Sequence, residues 1–130
     1  MPLPKTEIQI LVVDDFPTMR KIVKGVLKQL GYSNVTEAED GSQASKILET
    51  NNQIEFIVSD WNMPHMTGIE LLKWVRSSKE ERIKNIPFLM ITAEADKAFI
   101  IEAVKSGVNN YIVKPFNAAT MKEKIEKIFK

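Results

Sequence analysis

Short, nearly continuous apolar runs, each ended by a polar residue, constrain this chain more than any other feature. They cover residues 8–13, 56–58, 88–91 and 111–113. Runs of that length and β-branched character read as strands buried on both faces. They stop at Asp14-Asp15, at Ser59-Asp60, at Thr92 and at Lys114-Pro115. A weaker run at 34–38 is read as a further strand.

Helical patterns fill the intervals. Pro17 suits a first helical position, where its missing N–H costs nothing. Ile22, Val23, Val26, Leu27 and Leu30 then recur at helical spacing up to Gly31, a natural stop. Gly25, in the middle of that helix, should cost roughly 1 kcal/mol relative to Ala, for no reason visible in the sequence. Asp40 can cap a helix carrying Ala44, Ile47 and Leu48 that fades at Asn51-Asn52. Thr67 and Glu70 have capping-box spacing ahead of Leu71, Leu72 and Val75. Residues 96–106 read as a fourth helix closed by Gly107, and Asn117 caps a last one carrying Met121, Ile125, Ile128 and Phe129.

Strand and helix thus alternate along the whole chain, the pattern of parallel strands with helical crossovers on both faces. The expected fold is α/β: a doubly wound five-stranded parallel sheet of flavodoxin-like type. The order 2-1-3-4-5 is the one that fold uses; the residues by themselves do not dictate it. In this order the first and third strands are neighbours, so Asp14, Asp15 and Asp60 leave adjacent strand ends. At 130 residues the chain is expected to be a single domain (1–130), with residues 1–7 a flexible extension.

Composition narrows the function. A net charge of +1 gives no electrostatic case for nucleic acid or for an anionic membrane. The absence of cysteine excludes disulfides, thiol catalysis and thiolate zinc sites. With one histidine, an imidazole-rich metal site is out of reach. No stretch approaches the ~20 apolar residues of a membrane span and no secretory signal opens the chain, so the expected location is cytoplasmic.

Three carboxylates at adjacent strand ends repel one another, and a hard divalent cation resolves that repulsion. Mg²⁺ suits such oxygen ligands and keeps waters that a phosphate-bearing partner can replace. Thr92 offers a hydroxyl donor and Lys114 an ammonium at two further strand ends. Cations on either side of a phosphoryl group stabilise its transfer. Asp60 would be the nucleophile and carry the phosphoryl group as an acyl phosphate. The chain has no G-x-x-x-x-G-K-[ST] loop for ATP, so another molecule is expected to supply the phosphoryl group.

Taken singly these residues have plainer readings. Asp14-Asp15 could cap a helix, Lys114 could be a surface lysine, Thr92 could satisfy a strand-end backbone group, and Tyr111 could be a half-buried edge-strand residue. Together, at successive strand ends, they resemble a response-regulator receiver domain of the free-standing chemotaxis kind. The match runs from Ile10 to Phe129. It is carried by Leu11-Val12-Val13-Asp14-Asp15-Phe16, Ser59-Asp60-Trp61-Asn62-Met63-Pro64, Thr92-Ala93-Glu94-Ala95 and Val113-Lys114-Pro115-Phe116.

The resemblance implies that Asp60 accepts phosphate from a phosphohistidine of a chemotaxis-type histidine kinase. It implies Asp14, Asp15, Asp60 and the Asn62 carbonyl as Mg²⁺ ligands, Lys114 as the phosphoryl-holding cation before a cis Pro115, and Thr92 with Tyr111 as a two-residue switch. The switched surface would comprise Ala95, Phe99, Ile100, Tyr111, Val113 and Lys124, on the fourth helix, fifth strand and fifth helix. It would bind the flagellar motor switch protein and alter rotation. The chain would act as a monomer, with a dedicated phosphatase among its partners. Asn62 and Glu94 occupy positions that tune dephosphorylation in this family.

Pro17, His65, Thr67 and Asp96 depart from the usual pattern, Asp96 on the presumed motor-binding face. A phosphate sink or a regulator of a non-motor protein is the alternative output. With the chain ending in its last helix, either output is expected to act through protein contact. A Mg²⁺-dependent phosphatase with an Asp nucleophile is the remote alternative, since Asn62 stands where such enzymes carry a second acid. His65 reads as an exposed loop histidine more readily than as a catalytic one. Trp61 reads equally as a ligand-stacking ring or a rim aromatic over the core. Phe99, Ile100, Ile101, Ala103 and Val104 cover an arc of about 200°, wider than the ~100° that burial on one face needs. An exposed flank at Phe99 or Ile100 would be a docking patch; otherwise neighbouring helices cover it.

Overall fold

Val13 lies opposite Ser59 on a parallel neighbour, and that register organises the sheet. The computed structural model describes residues 6–93 and 97–129. Its strands are β1 (Ile10–Val13), β2 (Val35–Ala38), β3 (Phe56–Asp60), β4 (Phe88–Thr92) and β5 (Asn110–Val113). The helices are α1 (Pro17–Gln29), α2 (Gly41–Thr50), α3 (Gly68–Arg76), α4 (Glu81–Lys84), α5 (Lys97–Lys105) and α6 (Ala118–Phe129). All pairings are parallel, in the order β2-β1-β3-β4-β5.

The side-chain period of two divides each inner strand between two cores. Ile10 and Val12, Phe56 and Val58, and Leu89 and Ile91 pack on one face with Val23 and Leu27 of α1 and Met121, Ile125 and Phe129 of α6. Leu11, Val13, Ile57, Phe88 and Met90 pack on the other, against Ala44 and Leu48 of α2 and Leu71, Leu72 and Val75 of α3. This double burial is why those strands read as apolar runs instead of alternating.

The expected helix signals act as capping theory requires. Asp40 accepts from the N–H of Gln43 at 2.8 Å, and Asn117 from that of Thr120 at 2.9 Å. Thr67 and Glu70 form both halves of their capping box. Gly31 and Gly107 take positive φ after α1 and α5, the left-handed region glycine tolerates. Gly25 is exposed, and nothing in the structure explains it.

Differences are local. The first strand begins at Ile10 and not at residue 8, although Ile8 is buried. The short helix α4 is an addition to the expected elements, because its one buried residue, Ile83, leaves no periodicity to read. The fourth expected helix is therefore α5, and its expected start at Asp96 lies outside the described residues. The expected extension over 1–7 is described only at Thr6 and Glu7, where the Glu7 carbonyl accepts from Asn34 at 3.0 Å. No helix among the described residues is long and apolar enough to cross a membrane.

Arg76 ties the edge of the sheet away from the strand C-termini. Its guanidinium donates to the carbonyls of Gly107 (2.9 Å), Lys84 (2.9 Å) and Ile86 (2.7 Å) and to Asn109 Oδ1 (2.8 Å). The same Asn109 oxygen accepts from the Phe88 N–H at 2.7 Å, just where β4 begins. Replacing Arg76 with Met should leave several of these acceptors unpaired and cost about 2–4 kcal/mol in urea unfolding. A second test concerns Gly68, where a Cβ would collide with the Asp60 carbonyl and the Met90 sulfur. Gly68→Ala should cost about 1–3 kcal/mol by the same measurement.

Candidate functional site

The site is built from strand ends. One step beyond the Val13–Ser59 pair come Asp14 and Asp60, both buried, with Asp15 half-buried beside them. One carboxylate oxygen from each of Asp14, Asp15 and Asp60 lies within 4.8 Å of the others. The expected cluster forms because β1 and β3 are neighbours. On the other side, Lys114 Nζ sits 2.9 Å from Asp60 Oδ1. Thr92, buried at the end of β4, accepts through its backbone carbonyl from the Lys114 N–H at 2.8 Å. The Lys114–Pro115 peptide is cis, as the family resemblance implied.

Burial sets the electrostatics. Desolvation is the largest influence on Asp14 and pushes its carboxyl up to about 6, with the Asp60 and Asp15 charges adding to it and the Phe16 N–H opposing. That N–H donates to Asp14 Oδ1 at 3.0 Å. Asp60 is raised as well, again by desolvation first, with Lys114 opposing. Asp14 Oδ2 and Asp15 Oδ1 are buried and have no hydrogen-bond partner among the described residues. Buried carboxylate oxygens without donors are costly, and a proton or a bound cation would relieve them.

The loop from β3 to α3 is held closely over the site. The Trp61 N–H donates to the Ile91 carbonyl (2.9 Å), and that of Gly68 donates to the Trp61 carbonyl (2.8 Å). Glycine at 68 is what allows this approach. Asn62 is exposed on this loop, two residues from Asp60. Trp61 is 8% exposed and meets Phe99 edge-on at 5.2 Å, so it is the rim aromatic over the core. His65 is exposed, adopts φ 66°, and places Nδ1 2.9 Å from Asp40 Oδ2.

Sequence reasoning missed Arg20. Its Nη1 donates to the Asp14 carbonyl at 2.7 Å and its Nε to Glu37 Oε1 at 3.0 Å. Lys24 takes the other Glu37 oxygen at 3.1 Å. The only available signal was a basic residue in the first turns of α1 and an acid near the end of the adjacent strand, a pairing invisible before the fold is known.

The residues expected on the partner surface fall on α5, β5 and α6. Tyr111 is half-buried against the core, with Lys124 Nζ 5.0 Å from its ring centroid. Val113 is also half-buried. On α5 Phe99 is exposed as expected, Ile100 is half-buried, and Ile101 and Val104 stand most open to solvent. The reason is helical phase, since Ala103 faces the core and carries Ile101 and Val104 away from it. Glu94, Ala95 and Asp96 lie outside the described residues.

Comparison with known proteins agrees with this geometry. The family model of the response regulator receiver domain matches residues 10–126. Over 122 residues the chain is 56% identical to chemotaxis protein CheY of Pseudomonas aeruginosa, covering 94% of this chain and 96% of that protein. It is also 56% identical to CheY-3 of Vibrio cholerae, covering 94% and 92%. Among solved structures, Vibrio cholerae CheY4 superposes with a TM-score of 0.83 at 34% identity, covering 95% and 99%. The receiver domain of a Pseudomonas aeruginosa sensor histidine kinase, solved with a magnesium ion coordinated in its active-site cleft, gives 0.82 at 27% identity, covering 95% and 98%. Five parallel strands in this order, an acid cluster at their C-terminal edge and these relatives lead to one conclusion: the chain belongs to the response regulator receiver domain family.

Proposed function

We propose that this chain is a phosphorylation-switched response regulator of chemotaxis, which accepts a phosphoryl group on Asp60 from a histidine kinase. The observation that carries the reading is Asp60 itself: buried at a strand end, beside two acids with unpartnered oxygens, and 2.9 Å from Lys114. The carboxylates of Asp14, Asp15 and Asp60, with the Asn62 carbonyl, would hold Mg²⁺. The oxygen-only donor set and the unpartnered Asp14 Oδ2 and Asp15 Oδ1 fit that ion. When bound, Mg²⁺ supplies fixed positive charge against the negative charge on the phosphoryl oxygens.

In the transfer, an Asp60 carboxylate oxygen attacks phosphorus, the bond from phosphorus to the kinase imidazole nitrogen breaks, and the imidazole leaves with that electron pair. Lys114, already paired with Asp60, can pass to the phosphoryl oxygens without leaving the site. Thr92 supplies its hydroxyl from the neighbouring strand end, and Tyr111 follows toward the space behind it. This changes the surface of α5, β5 and α6, including Phe99, Ile100, Tyr111, Val113 and Lys124, which the flagellar motor switch protein reads. The chemotaxis reading rests on the likeness to proteins named CheY.

Incubation with Mg²⁺ and acetyl phosphate should label the wild type and leave Asp60→Asn unlabelled; equal labelling would remove Asp60 from its role. The amino-terminal peptide of a motor switch protein should bind more tightly after phosphorylation, and phosphate-independent binding would separate the chain from the motor. The acid cluster also has a stability signature. Because Asp14 holds its proton up to about 6, above the ordinary value of 3.8, the folded chain binds that proton more tightly than the unfolded chain. In chelator, stability should therefore fall as pH rises through that window and stay lower above it. Asp14→Asn should lose most of this decline and be more stable than wild type at pH 7, by on the order of 2 kcal/mol in urea melts.

A further inference from the structure

An acid cluster that takes up a cation needs its backbone held firmly by groups that bring no further positive charge onto its carboxylates beyond that of Lys114. One side chain in this structure meets both requirements. Arg20, 12% exposed, reaches from α1 across the end of β1 and donates from Nη1 to the Asp14 carbonyl at 2.7 Å. Its Nε is 3.0 Å from Glu37 on the edge strand β2. Asp14 is thus held at both ends of its peptide framework, because its N–H donates to the carbonyl of Ala38, the last residue of that strand, at 3.1 Å. The guanidinium grips the backbone of Asp14 and pairs its charge with Glu37, whose second oxygen is occupied by Lys24.

We propose that Arg20 is a positioning residue for cation binding. It fixes the start of the β1–α1 loop through the Asp14 carbonyl, and Glu37 keeps its charge away from the carboxylates of Asp14, Asp15 and Asp60. This rests on the reading that those three acids hold Mg²⁺. A planar fork can satisfy a carbonyl and a carboxylate in fixed directions at once, which a lysine ammonium cannot do with the same precision. Partners one step behind a metal ligand commonly matter 10–100-fold in affinity.

The test is calorimetric titration of the full chain with Mg²⁺ alone, beside thermal melts in chelator. Arg20→Gln should weaken Mg²⁺ binding about ten-fold or more, and Arg20→Lys should not restore it. Arg76→Gln serves as the control, since it removes a guanidinium at the far edge of the sheet. It should lower the melting temperature and leave Mg²⁺ affinity at the wild-type value. Wild-type affinity in Arg20→Gln, or full rescue by Arg20→Lys, would overturn the assignment. If Arg20→Gln does not fold, Glu37→Gln carries the test: weaker Mg²⁺ binding supports the assignment and unchanged binding overturns it. Asp60→Asn separates the two levels. If it binds Mg²⁺ as tightly as wild type, the reading of the site fails; if it loses binding while Arg20→Gln does not, only the role of Arg20 fails.

Discussion

The parallel pairing of β1 with β3 is the contact on which the rest depends. It is a pairing of non-consecutive strands, and it sets Val13 opposite Ser59 so that the next residues, Asp14 and Asp60, become neighbours. A single-residue slip would turn one of them to the opposite face of the sheet. The register is secured by burial on both faces: Ile10, Val12, Phe56 and Val58 fill one core, and Leu11, Val13 and Ile57 fill the other. Hydrophobic packing thereby holds like charges together against their repulsion; burial of these strand ends is the main cause of the raised Asp14 and Asp60 carboxyls, and the neighbouring acids add to it.

Around this pair the chain distributes its tasks by location. Strand ends carry the clustered acids, and loops carry the backbone that approaches them. Gly68 shows how tight that approach is, since even one methyl group there would meet the Asp60 carbonyl. Outer helix faces carry the solvent-exposed side chains, apolar ones among them, as Ile101 and Val104 on α5 illustrate.

Much of this was legible in the sequence, for identifiable reasons. Strands buried on both faces advertise themselves as apolar runs, and the caps at Asp40, Thr67 and Asn117 are local chemistry that survives into the structure. The acid cluster follows once the strand order is known, but that order belongs to a fold family and is not written in any one stretch of residues. What stayed hidden depends on distance along the chain. Arg20 and Glu37 are 17 residues apart, and Arg76 reaches carbonyls up to 31 residues away. Neither leaves a periodic or capping signal. Helix α4 escapes because a single buried side chain makes no pattern. On α5 the expected exposed flank holds at Phe99 and not at Ile100, and it extends to Ile101 and Val104, because a wide apolar arc does not disclose which part faces the core.

The Arg76 staple has a mechanical consequence. It joins the end of α3 to the carbonyls of Lys84, Ile86 and Gly107 and to Asn109, all at the edge of the sheet opposite Asp60. The C-terminal end of α5 and the starts of β4 and β5 are therefore pinned to one another. A displacement at the Thr92 end would act on these elements as on a book bound along its spine, where pages spread only at the free margin. Such a binding would turn small shifts beside Asp60 into a tilt of α5 and keep them from loosening the sheet as a whole.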